Sequence, residues 1–130
     1  MPIDDTIPQN TEGNEYFSQA ITPKSATNIL QIKVQTYVSS SAATQNLIMA
    51  LFQDTTANAL AATAINVPSA TSPQDMELNH AMVAGTASST TFKVRIGGNA
   101  AGTTTVNGYS GGRSFGAIPK SIISITEYKV

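Results

Sequence analysis

Residues 29–39 alternate between apolar and polar side chains along their whole length. A strand places successive side chains on opposite faces, so a period of two predicts a strand with one buried face. Strands of this kind are typical of antiparallel sheets, which pack one face on a core and expose the other. The side predicted to be buried comprises Leu30, Ile32, Val34, Thr36 and Val38.

The rest of the chain carries further strand signals at short, even spacing, with polar or glycine-rich connections between them. The additional predicted strands are residues 16–21, 47–52, 57–64, 76–82, 90–96, 103–107 and 121–130. Only the alanine-rich residues 57–64 also suit a short helix, and the strand is preferred because eight residues form a marginal helix in water. About eight strands without helical periodicity predict an all-β fold, an antiparallel β-sandwich or jelly roll.

Residues 47–64 form the predicted central hairpin of this sandwich. An apolar run ends at a polar turn over residues 53–56, where Asp54 is expected to cap the backbone, as is Asn58 just beyond it. The second half of the stretch is small-sided and uncharged, which is unusual for a strand facing solvent. We therefore expect it to pack against a neighbouring subunit. The predicted interface residues are Ala57, Ala59, Ala61, His80 and Met82.

The length of 130 residues suits one domain. Residues 1–14 contain Pro2, Pro8 and Gly13 and show no periodicity, so they are predicted to form an extended N-terminal arm that contacts a neighbour. Residues 15–130 are then a single β-sandwich domain.

The charge balance disfavours several classes of partner. Only 12% of residues are charged and the net charge is −1, whereas nucleic acids and anionic membranes attract clustered Lys and Arg. The chain has no cysteine, and no segment approaches the roughly 20 apolar residues of a membrane span. The acidic, polar N-terminal residues do not resemble a signal peptide. We expect no nucleic-acid partner, no membrane insertion and no signal peptide.

Three candidate chemical sites are weak. Residues 97–104 have the glycine spacing of a phosphate-binding loop, but Thr103 occupies the lysine position. Asp75 and Glu77 share a strand face, where solvated carboxylates are ordinary. His80 is the only histidine, so an ion or pH site would need copies from three subunits. We predict no catalytic residue, no metal site, no cofactor and no enzymatic activity.

Residues 109–113 form the most plausible ligand surface. The ring of Tyr109 in a Gly/Ser loop could stack on a sugar, and Arg113 could donate to hydroxyl or carboxylate groups. The alternative is that Tyr109 packs the loop while Arg113 pairs with an acidic neighbour. Tyr109 and Arg113 are the predicted ligand-binding residues.

Several segments together resemble a domain at the C-termini of bacteriophage tail-fibre and tailspike-like proteins. They include residues 5–13, 20–28, 50–62, 113–116 and 123–128. The resemblance implies a trimeric jelly roll, similar to tumour necrosis factor and complement globular heads, located on a virion. Its implied function is to trimerise a fibre and to present loops to a host receptor or cell-surface polysaccharide, in contact with other virion proteins. Two alternatives are a capsid decoration protein and a carbohydrate-binding module of a phage depolymerase.

Overall fold

A computed structural model describes residues 1–130 and contains ten strands and one three-residue turn of 3₁₀ type, Phe115–Ala117. The strands are β1 (Asn14–Ile21), β2 (Ile29–Ser40), β3 (Gln45–Gln53), β4 (Ala61–Val67), β5 (Gln74–Val83), β6 (Thr90–Gly98), β7 (Thr104–Val106), β8 (Gly108–Tyr109), β9 (Gly112–Arg113) and β10 (Ile122–Tyr128).

Two antiparallel sheets form a sandwich. The first sheet has the order β1-β6-β3-β4, and the second has the order β10-β2-β5 with β7 as its fourth strand, paired to one end of β2. Each sheet mixes strands that are distant in the chain, as Greek-key connections require. The predicted all-β sandwich is confirmed.

The core lies between the inner faces of the two sheets. The alternating residues of β2 predicted to be buried are buried, and the second sheet adds Met76 and Leu78 from β5. The first sheet contributes Leu47, Met49 and Leu51 from β3, which face the same cluster. The period of two in the sequence therefore identifies the inner face correctly.

The outer face of the first sheet is also covered. Ile48, Ala50 and Phe52 alternate with the core residues of β3, yet they are buried and lie outside the central cluster. Residues 1–13, the N-terminal arm, cross this face. The arm lines a groove together with Ile48, and a Cβ on Gly97 would lie 2.9 Å from the Cα of Gly13 in the arm.

Hydrogen bonds fasten the N-terminal arm at both ends. The Met1 amino group donates to the Gly98 carbonyl (3.0 Å). At the other end Arg95 donates from Nε to the Glu12 carbonyl (2.8 Å) and from Nη2 to the Gly13 carbonyl (2.6 Å). The arm therefore packs on its own chain. The contact with a neighbouring subunit that its prolines suggest stays a prediction.

The central hairpin differs from the prediction in its second half. The hairpin forms, because Leu51 pairs with Ala61 and Gln45 with Val67. However, β4 begins at Ala61 and not at Ala57, and the segment before it pairs with the arm: Asn10 N donates to Ala57 O (2.8 Å) and Ala59 N to Pro8 O (3.0 Å). Alanine content alone could not show that the arm satisfies these backbone groups.

The outer face of the second sheet, here called the bare face, has no covering segment along residues 29–35 of β2, whereas Ser39 at the far end of the strand is buried. At one end a row across three strands is apolar, with Tyr128 paired to Ile29 and Ile29 paired to Val83. Val83 and Tyr128 are each 55% exposed. Lys33 and Glu77 border a shallow hollow of about 360 Å³ further along the face.

Candidate functional site

β7 and β10 follow one another along the same side of β2. β7 pairs with residues 38–40 and β10 with residues 29–35, while β5 pairs with the opposite side of β2. The two strands are thus halves of one edge, and residues 107–121 leave the sheet between them. We call residues 107–121 the excursion; it contains the small β8–β9 hairpin.

Side-chain and backbone hydrogen bonds close the neck of the excursion. The Thr36 and Ser121 hydroxyls lie 2.8 Å apart, and Ser121 donates onward to Asn107 Oδ1 (3.0 Å). Asn107 N donates to the Tyr37 carbonyl (2.7 Å), and the buried Ser39 hydroxyl donates to the Gly108 carbonyl (3.1 Å). The excursion is therefore anchored to the rigid strand β2.

The far end of the excursion holds apolar side chains in solvent. Phe115 is 74% exposed and Ile118 is 76% exposed. Phe115, Gly116 and Ala117 all have positive φ (48°, 64° and 69°), a left-handed conformation that is costly for residues with a Cβ. Backbone bonds from Ala117 N to Ser114 O (2.8 Å) and from Ile118 N to Phe115 O (3.2 Å) close this turn.

Tyr109 and Arg113 both lie in the β8–β9 hairpin and are exposed. Tyr109 pairs with Gly112 and Arg113 with Gly108, so strand alternation directs the two side chains to opposite faces of the hairpin. A Cβ on Gly108 would overlap the Gly112 carbonyl, which explains why glycine occupies this position. Ligand binding by Tyr109 and Arg113 stays a prediction.

The predicted interface residues divide into two groups. Ala61, His80 and Met82 are half-buried on β4 and β5, the neighbouring edge strands of the two sheets, which leave the sandwich partly open. We call this region the open edge. Ala57 and Ala59 lie instead in the connection that pairs with the N-terminal arm. A role for any of the five in a subunit interface stays a prediction.

Asp54 fastens the turn after β3. Its carboxylate accepts hydrogen bonds from Thr91 N (2.8 Å) and the Thr90 hydroxyl (2.7 Å), which lower the pKa of Asp54 below its ordinary value. Asn58 accepts a hydrogen bond from Gln9 in the arm (2.9 Å). Asp54 therefore holds a backbone N–H group, as the turn composition predicts, whereas the side chain of Asn58 bonds to a side chain of the arm instead of capping the backbone.

Glu127 joins the end of β10 to the turn before β2. The Asn28 side chain, and then the Lys24 backbone N–H, donate to its carboxylate (2.7 and 2.8 Å) and lower the pKa of Glu127. These contacts hold the C-terminal strand against the sheet. Glu127 is thus a structural carboxylate as well.

The three weak candidate sites lie on β5 and in the connection between β6 and β7. Residues 99–103 connect β6 to β7, Asp75 and Glu77 are exposed on β5, and His80 pairs in register with Ile32. No group of three or more His, Cys, Asp or Glu side chains is placed to hold a metal ion. No helix is long and apolar enough to cross a membrane.

Sequence reasoning missed the exposed apolar residues of the excursion. Phe115 and Ile118 stand in a stretch rich in Gly and Ser, where no period relates them to a core. A readable signal was the absence of acidic residues between Glu77 and Glu127, which leaves the cations of this stretch unbalanced.

Comparison with curated proteins finds no match. The family model described as Pgp3 C-terminal domain matches residues 3–130, and Pgp3 is a Chlamydia plasmid virulence protein. This match overturns the resemblance to phage tail-fibre and tailspike-like proteins, together with the virion location and the structural role in a phage. The capsid-decoration and phage-depolymerase alternatives fall with it.

The residues that suggested a phage protein have structural roles in this fold. Residues 5–13 lie in the arm, residues 20–28 lead from β1 to β2, and residues 50–62 form the central hairpin. Folding requirements explain why such segments occur in a β-sandwich, and a shared fold does not by itself show a shared function. With a match over nearly its whole length, the chain belongs to the Pgp3 C-terminal domain family.

Proposed function

We propose that this chain is a non-catalytic domain of a virulence protein that assembles as a homotrimer and presents the excursion to a host partner. The observation that carries the proposal is the difference between the two outer faces of the sandwich. The arm covers the first sheet, whereas the bare face exposes Val83 and Tyr128. Exposed apolar surface rimmed by polar residues is typical of an interaction site.

The open edge supplies a second, different surface for self-association. Its half-buried Ala61, Ile65 and Met82 are apolar and belong to edge strands. Contact between two different surfaces of one chain is heterologous, and such contacts close into rings when the rotation between subunits permits. Packing of the open edge of one subunit on the bare face of the next gives the proposed trimer.

The hydrogen bonds of the Asp54 and Glu127 carboxylates support a non-catalytic function. Asp54 and Glu127 are committed to backbone and side-chain donors that stabilise their ionised forms. A general acid at neutral pH needs the opposite change, a raised pKa. The contacts of these side chains therefore favour structural roles over acid–base chemistry.

Size-exclusion chromatography with light scattering tests the proposed assembly. We expect the mass of three chains at micromolar concentration. A stable monomer under these conditions would contradict the proposal. A dimer would contradict it too. In a dimer with a single contact between the open edge and the bare face, one open edge and one bare face would remain exposed to solvent.

A further inference from the structure

The excursion contains exposed apolar side chains that do not pack against the core of the sandwich. Phe115 and Ile118 are about three-quarters exposed, and Tyr109 is half-exposed in the same loop. None of the three belongs to the central cluster or packs against it. Isolated exposed apolar residues are ordinary, but three on one projecting loop indicate a surface that another phase or molecule covers.

The charged residues of this part of the sequence have one sign, although Glu77 lines a hollow together with Ile122, just beyond the neck of the excursion. No acidic residue lies between Glu77 and Glu127, and Arg113 and Lys120 are the exposed cations of the excursion. The other two cations of this stretch are occupied elsewhere: Arg95 holds the arm, and Lys93 lies near Asp54. Asp75 is level with the neck, but it is on the far side of β2.

Hydrogen bonds within this chain already hold the excursion at its neck and at its left-handed turn. Its neck is bonded to β2 through Ser121 and Asn107, and backbone bonds close its left-handed turn. A loop that already holds its contact residues outward loses less conformational entropy on binding than a flexible one.

We propose that the excursion docks this domain on an anionic phospholipid bilayer. Phe115 and Ile118 enter the interface between head groups and acyl chains, while Arg113 and Lys120 contact lipid phosphates. The inference rests on the proposed function, because it names the partner of the same presented surface. The net charge of −1 disfavours an anionic membrane as a partner of the chain as a whole. However, that value is a sum over an acid-free region and the acidic arm, and only the acid-free region would contact the lipid.

A bilayer interface offers both chemistries side by side. Exposed aromatic and aliphatic side chains partition into it, and anionic head groups attract nearby cations. Stable anchoring takes two such signals together. A polysaccharide would engage either Tyr109 or Arg113, which lie on opposite faces of the hairpin, and would leave Ile118 in water.

Binding to vesicles tests the proposal on the full chain. Because the chain contains no tryptophan, Phe115→Trp introduces a single fluorophore at the proposed contact. On addition of vesicles of phosphatidylcholine with phosphatidylserine, we expect its emission to shift to the blue and to be quenched by brominated lipid. Vesicles of phosphatidylcholine alone should bind more weakly, and added salt should weaken binding.

Co-sedimentation of the unlabelled protein gives the size of each contribution. Arg113→Gln and Lys120→Gln should each weaken binding about fivefold, and Phe115→Ser about tenfold. Lys129→Gln and Ile3→Ser are matched controls, because both residues are exposed and lie outside the excursion; neither should change binding. Circular dichroism confirms that each variant folds, and the charge variants suffice if Phe115→Ser does not.

Each alternative outcome overturns the proposal in a recognisable way. Absence of binding to anionic vesicles overturns it directly, and so does binding that Phe115→Ser and the charge variants leave unchanged. Binding to a soluble anionic polysaccharide without a blue shift would assign the excursion to sugar recognition. A change of oligomeric state in Phe115→Ser would show that the excursion is a subunit contact. If the protein is a trimer but does not bind anionic vesicles, only this inference is contradicted. If it is a monomer that binds them, only the proposed assembly is contradicted.

Discussion

The two sheets of this sandwich have inner faces of the same kind and outer faces of opposite character. On the first sheet the outward side of β3 is as apolar as its inward side, and the N-terminal arm covers it. On the second sheet the outward side of β2 is mostly polar, and only the excursion meets it, at the end where Ser39 is buried against Gly108. The first sheet therefore completes its packing within one chain, while the second leaves surface for other molecules.

The largest expected effect comes from uncovering the first sheet. Phe52→Ala removes a fully buried ring from the outer face of β3, so we expect the free energy of unfolding to fall by about 3–5 kcal/mol. Urea denaturation measures this change. Tyr109→Ala is the matched control, because it removes an aromatic ring that is half-exposed on the excursion, and it should cost less than about 1 kcal/mol. Equal losses in the two variants would show that the arm does not bury the outer face.

The next effect concerns assembly rather than folding. Val83→Lys places a charge in the apolar row of the bare face, and burying it between subunits should weaken each contact by about 2–3 kcal/mol. Light scattering over a dilution series should then show monomers at concentrations where the parent protein is a trimer. Asn66→Lys is the control, because Asn66 is exposed on the outer face of β4 and the substitution should leave the assembly intact. A trimer unaffected by Val83→Lys would exclude the bare face as the contact.

Sequence patterns predict most of the second sheet and much of the first. Where one face of a strand is buried and the other faces solvent, as in β2, apolar and polar residues alternate in the sequence. The predicted bounds of 29–39 are therefore close to the observed Ile29–Ser40. In β3 both faces are buried, so the sequence is a continuous apolar run. Such a run predicts a strand buried on both faces, but it does not indicate that the N-terminal arm is the segment that covers the outer face.

Features that depend on contacts between distant residues were beyond prediction from the sequence. Met1 meets Gly98, and Pro8 pairs with Ala59, at separations that no local pattern encodes. The excursion is similar: β7 and β10 read as two independent strands, and only their shared register on β2 shows them to be one interrupted edge. Local composition singles out Tyr109 and Arg113 as candidates, whereas the exposure of Phe115 is visible only in the fold.

A smaller effect is expected from the turn that ties β3 to β6 within the covered sheet. Asp54→Ala removes two hydrogen bonds to Thr90 and Thr91, so it should cost about 1–2 kcal/mol at neutral pH. The lowered pKa of Asp54 means that its contribution is fully present above the pKa of the unfolded chain and is lost as pH falls through the folded value. Denaturant unfolding should therefore show the parent and the variant converging in acid.

Asp5→Ala provides the control for this pH dependence. Asp5 is exposed on the arm, and its removal should change stability by no more than about 0.5 kcal/mol. A gap between the parent and Asp54→Ala that stays constant down to the most acidic pH would show that the charge on Asp54 does not stabilise the turn.

The smallest effect lies in the excursion, where the uncovered sheet meets solvent. Ala117 has φ of 69°, which glycine adopts without strain, so Ala117→Gly should raise the free energy of unfolding by about 0.5 kcal/mol after the entropy of the unfolded chain is subtracted. Ala87→Gly, in an exposed loop without positive φ, should lower it instead. Chemical denaturation of both variants measures the sign. If Ala117→Gly destabilises the protein, the left-handed turn is not strained, and the outward position of Phe115 needs another cause. If Ala117→Gly stabilises the protein, the left-handed turn is strained, and the fold tolerates this strain while it holds the apolar side chain of Phe115 in solvent. Strain of this kind is common at binding sites, so that result would support a partner for the excursion.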